Sequence, residues 1–492
     1  MQSTNKFVWI PGIFIIAATV LIGYRIIGHS KAANLTAITA KSSDSFVDSI
    51  GLNIHSAATG GGDQYGSQSQ WVPLLQQLGV RHVRDAWIST RVTQEKTLYA
   101  SLKTDGIGVD IIVNPIPSST TAQAIVSSIS QNYPIPDAFE GLNEVDNNGW
   151  TNWVSIAQTQ QQALYAAVKA DPNDSSVPVL GFTLTGGSAS YAQVGDMSSY
   201  LDYGNFHPYP GGRNPESNIV ANMNLQNTIS ANKPLYATET GYHADLNSTT
   251  SRSMADWPVS DPTFATYYTR MLLNNFRLGI KRTYGYEFLD ELPDSGLSIQ
   301  EQEYGLVRDD WSLTPAYTTL ENLISLLSDP GASFTPAALT YSLTGTDAAT
   351  TSVLLQKRDG TFWLAVWEAD NIWNGTTRQA ITTSPINLTL NLAQSASVAQ
   401  YHPDLNNLAS QASNNATSYN FSSSSNVTLL EISGSKNIQI PGDANGDGVV
   451  NILDLSILAS NWGKTNATWS EGDFNGDGVV NITDLSILAA NY

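Results

Sequence analysis

Two apolar runs end in a glutamate: Glu144 closes "AFEGLNEV" and Glu239 sits in "YATETGYH". Two carboxylates folded against each other can split a glycosidic bond, one protonating the leaving oxygen while the other attacks the anomeric carbon. Their separation sets the outcome. About 5–5.5 Å suits retention, whereas roughly 6.5–9.5 Å admits a water and gives inversion. A lone strand-end acid is more often solvated than catalytic. Here Asn143 directly precedes Glu144, and "NFHPYP", with His207 and Tyr209, lies between the two acids. A second chemistry is spelled out at the C-terminus, where "GDANGDGVVNILDLSILASNW" recurs as "GDFNGDGVVNITDLSILAANY". Oxygen donors alternate in each copy: Asp443, Asn445 and Asp447, then Asp473, Asn475 and Asp477. The sixth positions are Gly448 and Gly478. Val449 and Val479 offer carbonyls seventh, Asn451 and Asn481 stand ninth, and Asp454 and Asp484 close each loop twelfth. This is the spacing of an EF-hand calcium loop, and carboxylates so crowded repel one another unless a hard cation sits among them. One such loop could arise by chance; two in register point to calcium.

The glutamates need a scaffold that brings distant strand ends together. Strand-like runs at 50–55, 80–87, 109–115, 138–145, 177–186, 200–210, 234–243 and 282–291 alternate with helical ones such as 69–79, 150–170, 261–279 and 314–329. Eight such units predict a (β/α)₈ TIM barrel over 48–330, whose chemistry sits at the C-terminal ends of the strands. On that count Arg84 ends strand two, Glu144 strand four, Glu239 strand seven and Tyr286 strand eight, while His55 ends strand one. An open doubly wound sheet is the alternative, weakened because no Gly-rich phosphate turn follows the first strand. From 331 to 434 short strands, including a hairpin at Asp359-Gly360, predict a small antiparallel β-sandwich. Its Ser/Asn-rich tract "SQASNNATSYNFSSSSN" reads as a solvated loop. Residues 34–47 and 435–441 read as linkers, and 442–492 as a small all-α, EF-hand-like domain.

Bulk composition narrows the function classes. Hydrophobic residues make up 41%, which supports folded domains, while 43 acids against 23 bases give a net charge of −20. Nucleic acid is thereby an improbable partner, because phosphate binding needs basic patches. There is no cysteine, which excludes disulfide scaffolds and thiol nucleophiles. Lys6 precedes an apolar run from Phe7 to Tyr24, and Ser30-Lys31-Ala32 fits a small-x-small cleavage site. Residues 1–33 therefore read as a signal peptide or a transmembrane signal anchor. Either one places the remaining chain outside the cytoplasm, secreted or at the cell surface.

The repeat resembles a dockerin module over 442–492, which implies two bound calcium ions and a cohesin-bearing scaffold as partner. "EGLNEVDN", "NFHPYPGG", "YATETGYH" and "LGVRHVRDAW" resemble retaining (β/α)₈ glycoside hydrolases of family 39 and family 5-like proteins. That resemblance implies Glu144 as acid/base, Glu239 as nucleophile, and no cofactor for catalysis. It further implies that Asn143 binds the sugar 2-hydroxyl and that His207 and Tyr209 contact sugar and nucleophile. Arg84 would keep Glu239 ionised. Tyr286 stands where many relatives carry a Trp platform, and His55 is a candidate pocket wall. The expected substrate is a polysaccharide or oligosaccharide. The alternative is a non-catalytic carbohydrate-binding or adhesion protein that retains the barrel.

Overall fold

The computed structural model describes residues 34–56, 63–114, 121–249, 257–434, 440–446 and 449–492. The expected signal segment, the 115 end of one strand run and the Asp447 and Gly448 positions lie outside the described residues. The chain divides into Met1–Asn34 and Leu35–Tyr492, and every described strand and helix belongs to the second unit. Among the described residues no helix is long and apolar enough to cross a membrane.

Seven parallel strands make the first sheet: Ile50–Asn53, His82–Ala86, Gly108–Ile112, Ala138–Glu140, Gly204–Phe206, Leu235–Thr240 and Arg282–Gly285. The first four neighbour one another in sequence order, and Ile50–Asn53 also pairs with Arg282–Gly285, so the chain winds around rather than across. The two edges are Ala138–Glu140 and Gly204–Phe206. Between them runs the 177–186 segment, which makes isolated parallel bridges at Phe139–Val179 and Leu180–Tyr203. A full strand is expected there, and it is cut down to these bridges. Pro178 has no N–H to give to a ladder, although its carbonyl accepts from Phe139 at 3.0 Å.

Helices separate the strands for legible local reasons. Gln68–Leu78 stops at Gly79 and Asp261–Leu278 at Gly279, each glycine in the left-handed conformation that ends a helix at no Cβ cost. Pro315–Leu327 starts with Thr314, whose hydroxyl accepts from the Tyr317 N–H at 3.3 Å, and with Pro315 in the first turn. These helices bury their apolar faces with the strands in one cluster that includes Phe46, Leu52, Trp71, Val83, Ile111 and Leu323.

The β-rich region is one eight-stranded sheet with a separate two-stranded ribbon, Trp373–Asn374 paired with Gln379–Ala380. Thr350–Gln356 and Phe362–Glu368 form the expected hairpin. Side-chain direction alternates along Phe362–Glu368: Trp363, Ala365 and Trp367 join the cluster of the parallel sheet, whereas Leu364 and Val366 join a second core with Leu390, Val398 and Ile432. Period two thus glues this sheet to the parallel-sheet unit on one face and leaves the other for its own core. Three expectations are corrected. The runs at 384–392 and 397–403 are one strand, Ile386–Tyr401, continuous through register shifts. The Ser/Asn tract is no loop but the strand Ala409–Ser423, paired antiparallel with it. Its Tyr419, Phe421 and Ser423 turn inward and the residues between face solvent. The 34–47 stretch is no linker either: Thr36–Thr39 pairs with Ala338–Thr344, Lys41–Ser42 pairs with Leu355 and Gln356, and Ser43–Asp48 is helical.

At the C-terminus each repeat supplies one nine-residue helix, Ile452–Ser460 and Ile482–Ala490. Asn451 and Asn481 cap them, and Asp454 and Asp484 complete reciprocal capping boxes. Leu458, Phe474, Val480 and Leu488 form the small core between them.

Candidate active site

The C-terminal ends of the parallel strands converge on one pocket of about 930 Å³. It is lined by all eight barrel residues singled out from the sequence: His55, Arg84, Asn143, Glu144, His207, Tyr209, Glu239 and Tyr286.

Arg84 is the hub. Its side chain is 2% exposed, and every guanidinium nitrogen has an acceptor. Nε and Nη2 donate to the two oxygens of Glu140, both at 2.7 Å. Nη1 reaches Asn53 Oδ1 at 2.9 Å and Glu239 Oε1 at 2.6 Å, and Nη2 also reaches Asn143 Oδ1 at 2.7 Å. A planar fork with five donors suits this role in a way that a lysine could not. Because its oxygen is committed to Arg84, Asn143 has its NH₂ group left to offer a ligand.

Glu239 accepts from Arg84 on one oxygen and from the Tyr209 hydroxyl on the other, at 3.1 Å. Burial alone would raise its pKa. His207 whenever its ring carries charge, then the charge and hydrogen bond of Arg84 and the bond from Tyr209, outweigh burial and hold it at about 2. Glu239 is therefore a carboxylate across the ordinary pH range.

Glu144 sits in the left-handed region at φ 46°, ψ 49°. A residue with a side chain pays on the order of 1–3 kcal/mol for such a backbone. The turn is held by its own N–H donating to Thr183 Oγ1 at 2.8 Å, and by Asn148, whose amide donates to the carbonyls of Asn143 and Glu144 at 3.2 Å. Its Oε1 lies 3.0 Å from His207 Nδ1, which is also 3.5 Å from Glu239 Oε2. One ligand atom from each of Glu144, His207 and Glu239 falls within 4.8 Å of the others. The two carboxylates therefore face one another across a single histidine.

His55 and Tyr286 form another wall, their rings 5.5 Å apart, with Tyr209 and Tyr304 packed edge-on to Tyr286. His55 is paired with Glu291 and lies 3.4 Å from Glu287. Burial would lower its pKa, but Glu287 and then Glu291 raise it to about 9. His55, Glu287 and Glu291 also offer ligand atoms within 4.8 Å, as the Glu144 group does. In the latter, Arg84 and Tyr209 already occupy both oxygens of Glu239, an arrangement suited to a charge-paired carboxylate.

Several site residues escaped the sequence reading. Glu140 lies within the quoted run "AFEGLNEV", and its signal was an acid inside an apolar strand. Asn53, whose oxygen accepts from Arg84, ends the first strand. Thr238 links His207 Nε2 at 3.2 Å to Asn205 at 2.7 Å. Trp87, Trp150 and Trp153 pack against apolar clusters and do not line the pocket.

In the C-terminal loops the ninth-position side-chain oxygens of Asn451 and Asn481 accept from Leu453 and Thr483 N–H, both at 2.8 Å. Asp454 and Asp484 accept backbone N–H groups on both oxygens. Asp473 takes the Gly476 and Gly478 N–H groups at 2.9 Å. The donor set of the second loop, from Asp473, Asn475, Asp477, the Val479 carbonyl and Asp484, is all oxygen, which suits a hard cation.

Comparison with solved structures gives the class of fold. The chain resembles a family 39 glycoside hydrolase from Bacteroides cellulosilyticus WH2 with a TM-score of 0.54 at 13% identity, covering 80% of this chain and 83% of that one. It resembles a glucosidase from Croceicoccus marinus with a TM-score of 0.50 at 12% identity, covering 74% of this chain and 92% of that one. At these identities the likeness is one of fold. Among curated proteins none matches the chain in sequence. The C-terminal module is assigned more narrowly: residues 441–491 match the family model of the dockerin type I domain. Such domains in general bind calcium and cohesins.

Proposed function

We propose that the chain is a secreted or surface-anchored glycoside hydrolase on a (β/α)₈ barrel. It cleaves O-glycosidic bonds of a polysaccharide or oligosaccharide with retention, with Glu239 as nucleophile and Glu144 as acid/base. The observation that carries this reading is the approach of the two carboxylates, with an oxygen of each within 4.8 Å about His207. That distance is nearer the ~5–5.5 Å of retaining enzymes than the wider inverting gap.

The hydrogen bonds divide the labour. Glu239 stays ionised between Arg84 and Tyr209, as an attacking carboxylate must. The Thr238 hydroxyl has a single proton, which goes to Asn205 or Glu140, so it accepts from His207 Nε2–H. In the neutral ring Nδ1 is then an acceptor, the partner that a protonated Glu144 requires. As the leaving oxygen departs, Glu144 delivers that proton; the resulting carboxylate then activates the water that releases the sugar from Glu239. The dockerin module, with two calcium ions, tethers the enzyme to a cohesin-bearing scaffold.

Aryl glycosides test the assignment on E144Q and E239Q. Both variants should keep the fold and lose most turnover, and a good leaving group should restore the first step in E144Q alone. Unaltered rates in both would discard the assignment of these two glutamates.

A further inference from the structure

The pocket holds one cation that the catalytic arrangement leaves over. Among its lining residues Arg84 is taken by Glu140 and Glu239 and His55 by Glu291, while His207 is engaged as a hydrogen-bond link between Thr238 and Glu144. Arg213 lines the same pocket and forms no ion pair with any described residue. The nearest acid in sequence, Glu216, is turned elsewhere. It makes a two-pronged pair with the fully buried Arg270, at 3.0 and 2.6 Å, and accepts from Trp367 Nε1 at 2.9 Å.

Neutral acceptors instead hold the Arg213 guanidinium in place. Nε donates to the Pro210 carbonyl at 2.9 Å. With the Asn218 amide oriented oxygen-first, that oxygen accepts from Nη1 at 3.0 Å and Nη2 at 2.8 Å. One N–H on each terminal nitrogen is left over; the two point to opposite sides of the guanidinium, and each can donate one charge-assisted hydrogen bond to an oxyanion. Asn218 and Asn222, also on the pocket wall, open the helix Ile219–Ser230, whose positive end adds to the local potential. In a chain of net charge −20, a positioned cation without a carboxylate among the described residues marks a place where an anion comes from outside.

We propose that Arg213, with Asn218 positioning it, forms a subsite for an acidic substituent on the carbohydrate, a sugar carboxylate or a sulfate ester, so that the pocket takes an anionic glycan in preference to its neutral counterpart. This rests on the pocket being a glycan site, though not on its catalysing cleavage.

Binding to E239Q separates the two. Titration calorimetry would compare oligogalacturonate and 4-O-methylglucuronoxylo-oligosaccharides with galacto- and xylo-oligosaccharides of equal length, and sulfated with unsulfated galacto-oligosaccharides. At least one acidic oligomer should bind tighter than its neutral counterpart by about tenfold to a hundredfold, the scale of one charge-assisted hydrogen bond. The carboxylate and sulfate arms identify which oxyanion is taken. Adding R213Q should abolish the preference while leaving the affinity for the neutral oligomer within about twofold, and R213K should retain part of it, weakened by salt. Neutral oligomers bound as well as acidic ones in every pair would overturn the subsite. So would a preference that survives R213Q, or an equal loss for both members of a pair. If the parent chain hydrolyses neutral glycosides yet shows no acidic preference, only this subsite fails. If it binds acidic oligomers but turns over none, the subsite stands and the catalytic reading falls.

Discussion

The barrel pocket and the C-terminal repeats are both built from carboxylates, and they resolve the resulting repulsion in opposite ways. In the pocket the chain supplies its own counter-charge. Arg84 alone satisfies Glu140 and Glu239, and His207 stands between Glu239 and Glu144. These partners come from strands that are separated in the sheet as well as in sequence, the Arg84 strand lying two places from that of Glu140 and three from that of Glu239, so the site is finished only when the whole sheet is. In the repeats Asp473, Asn475 and Asp477 sit within five residues and find only backbone amides or one another. Their geometry is written locally and, on the proposed reading, completed by an ion. Charge neutralised by tertiary structure makes a rigid, preassembled site; charge left to a ligand makes a module whose fold is conditional on that ligand.

Breaking the pocket should have the largest effect. E239Q is expected to lower kcat on aryl glycosides on the order of 10⁴-fold or more, with circular dichroism and melting still cooperative. E144Q should lose about 10²–10⁴-fold, the range of a general acid, and less on a 2,4-dinitrophenyl leaving group. Chelation probes the other region. EDTA should remove hydrogen-exchange protection from Ile452–Ser460 and Ile482–Ala490 while the amides of the parallel strands and the aryl-glycoside rate remain as before. Protection that persists in both helices would mean that their capping boxes and small core suffice without an ion, and the contrast between the regions would fail.

A third substitution asks whether the pocket's self-sufficiency is also its weakness. Arg84→Met leaves Glu140 and Glu239 buried without their cation, and breaking a buried pair in this way typically costs about 3–5 kcal/mol. Urea unfolding should register that loss in the barrel transition and leave the repeat helices' exchange unchanged. A variant as stable as the parent would mean that the network is solvated in ways its burial does not suggest.

The same contrast explains what the sequence made legible. Calcium loops are a local pattern, and their register was readable from Asp443 to Asp484. The parallel sheet was readable as a rhythm, and its strand ends put His55, Arg84, Glu144, His207, Tyr209 and Glu239 on one pocket. Glu140 was passed over because an acid inside an apolar strand has no local partner; its reason is Arg84, more than a strand-helix unit away. The same holds for Thr36–Thr39, whose polar run reads as linker until Ala338–Thr344 arrives to pair with it. Ala409–Ser423 failed differently. Its composition masked a period-two alternation of Tyr419, Phe421 and Ser423 against outward polar residues, and alternation, not composition, decides whether a strand has a face to bury.

The smallest effect concerns the wall rather than the centre of the pocket. His55, held at about 9 by Glu287 and Glu291 against the opposing pull of burial, is charged in the folded chain at neutral pH. A histidine whose folded pKa exceeds its unfolded value of about 6.5 contributes stability that is fully present below pH ~6.5. That contribution declines as pH rises and is gone above about 9. The melting difference between the parent chain and H55Q should therefore be widest near pH 6 and shrink towards pH 9.5, by a few degrees at most. The repeats carry no histidine, so their exchange should not follow this profile. A difference that stayed flat across the window would show that His55 acts through ring packing on Tyr286 and Tyr65 rather than through its charge, and the wall would then owe its position to the aromatic cluster alone.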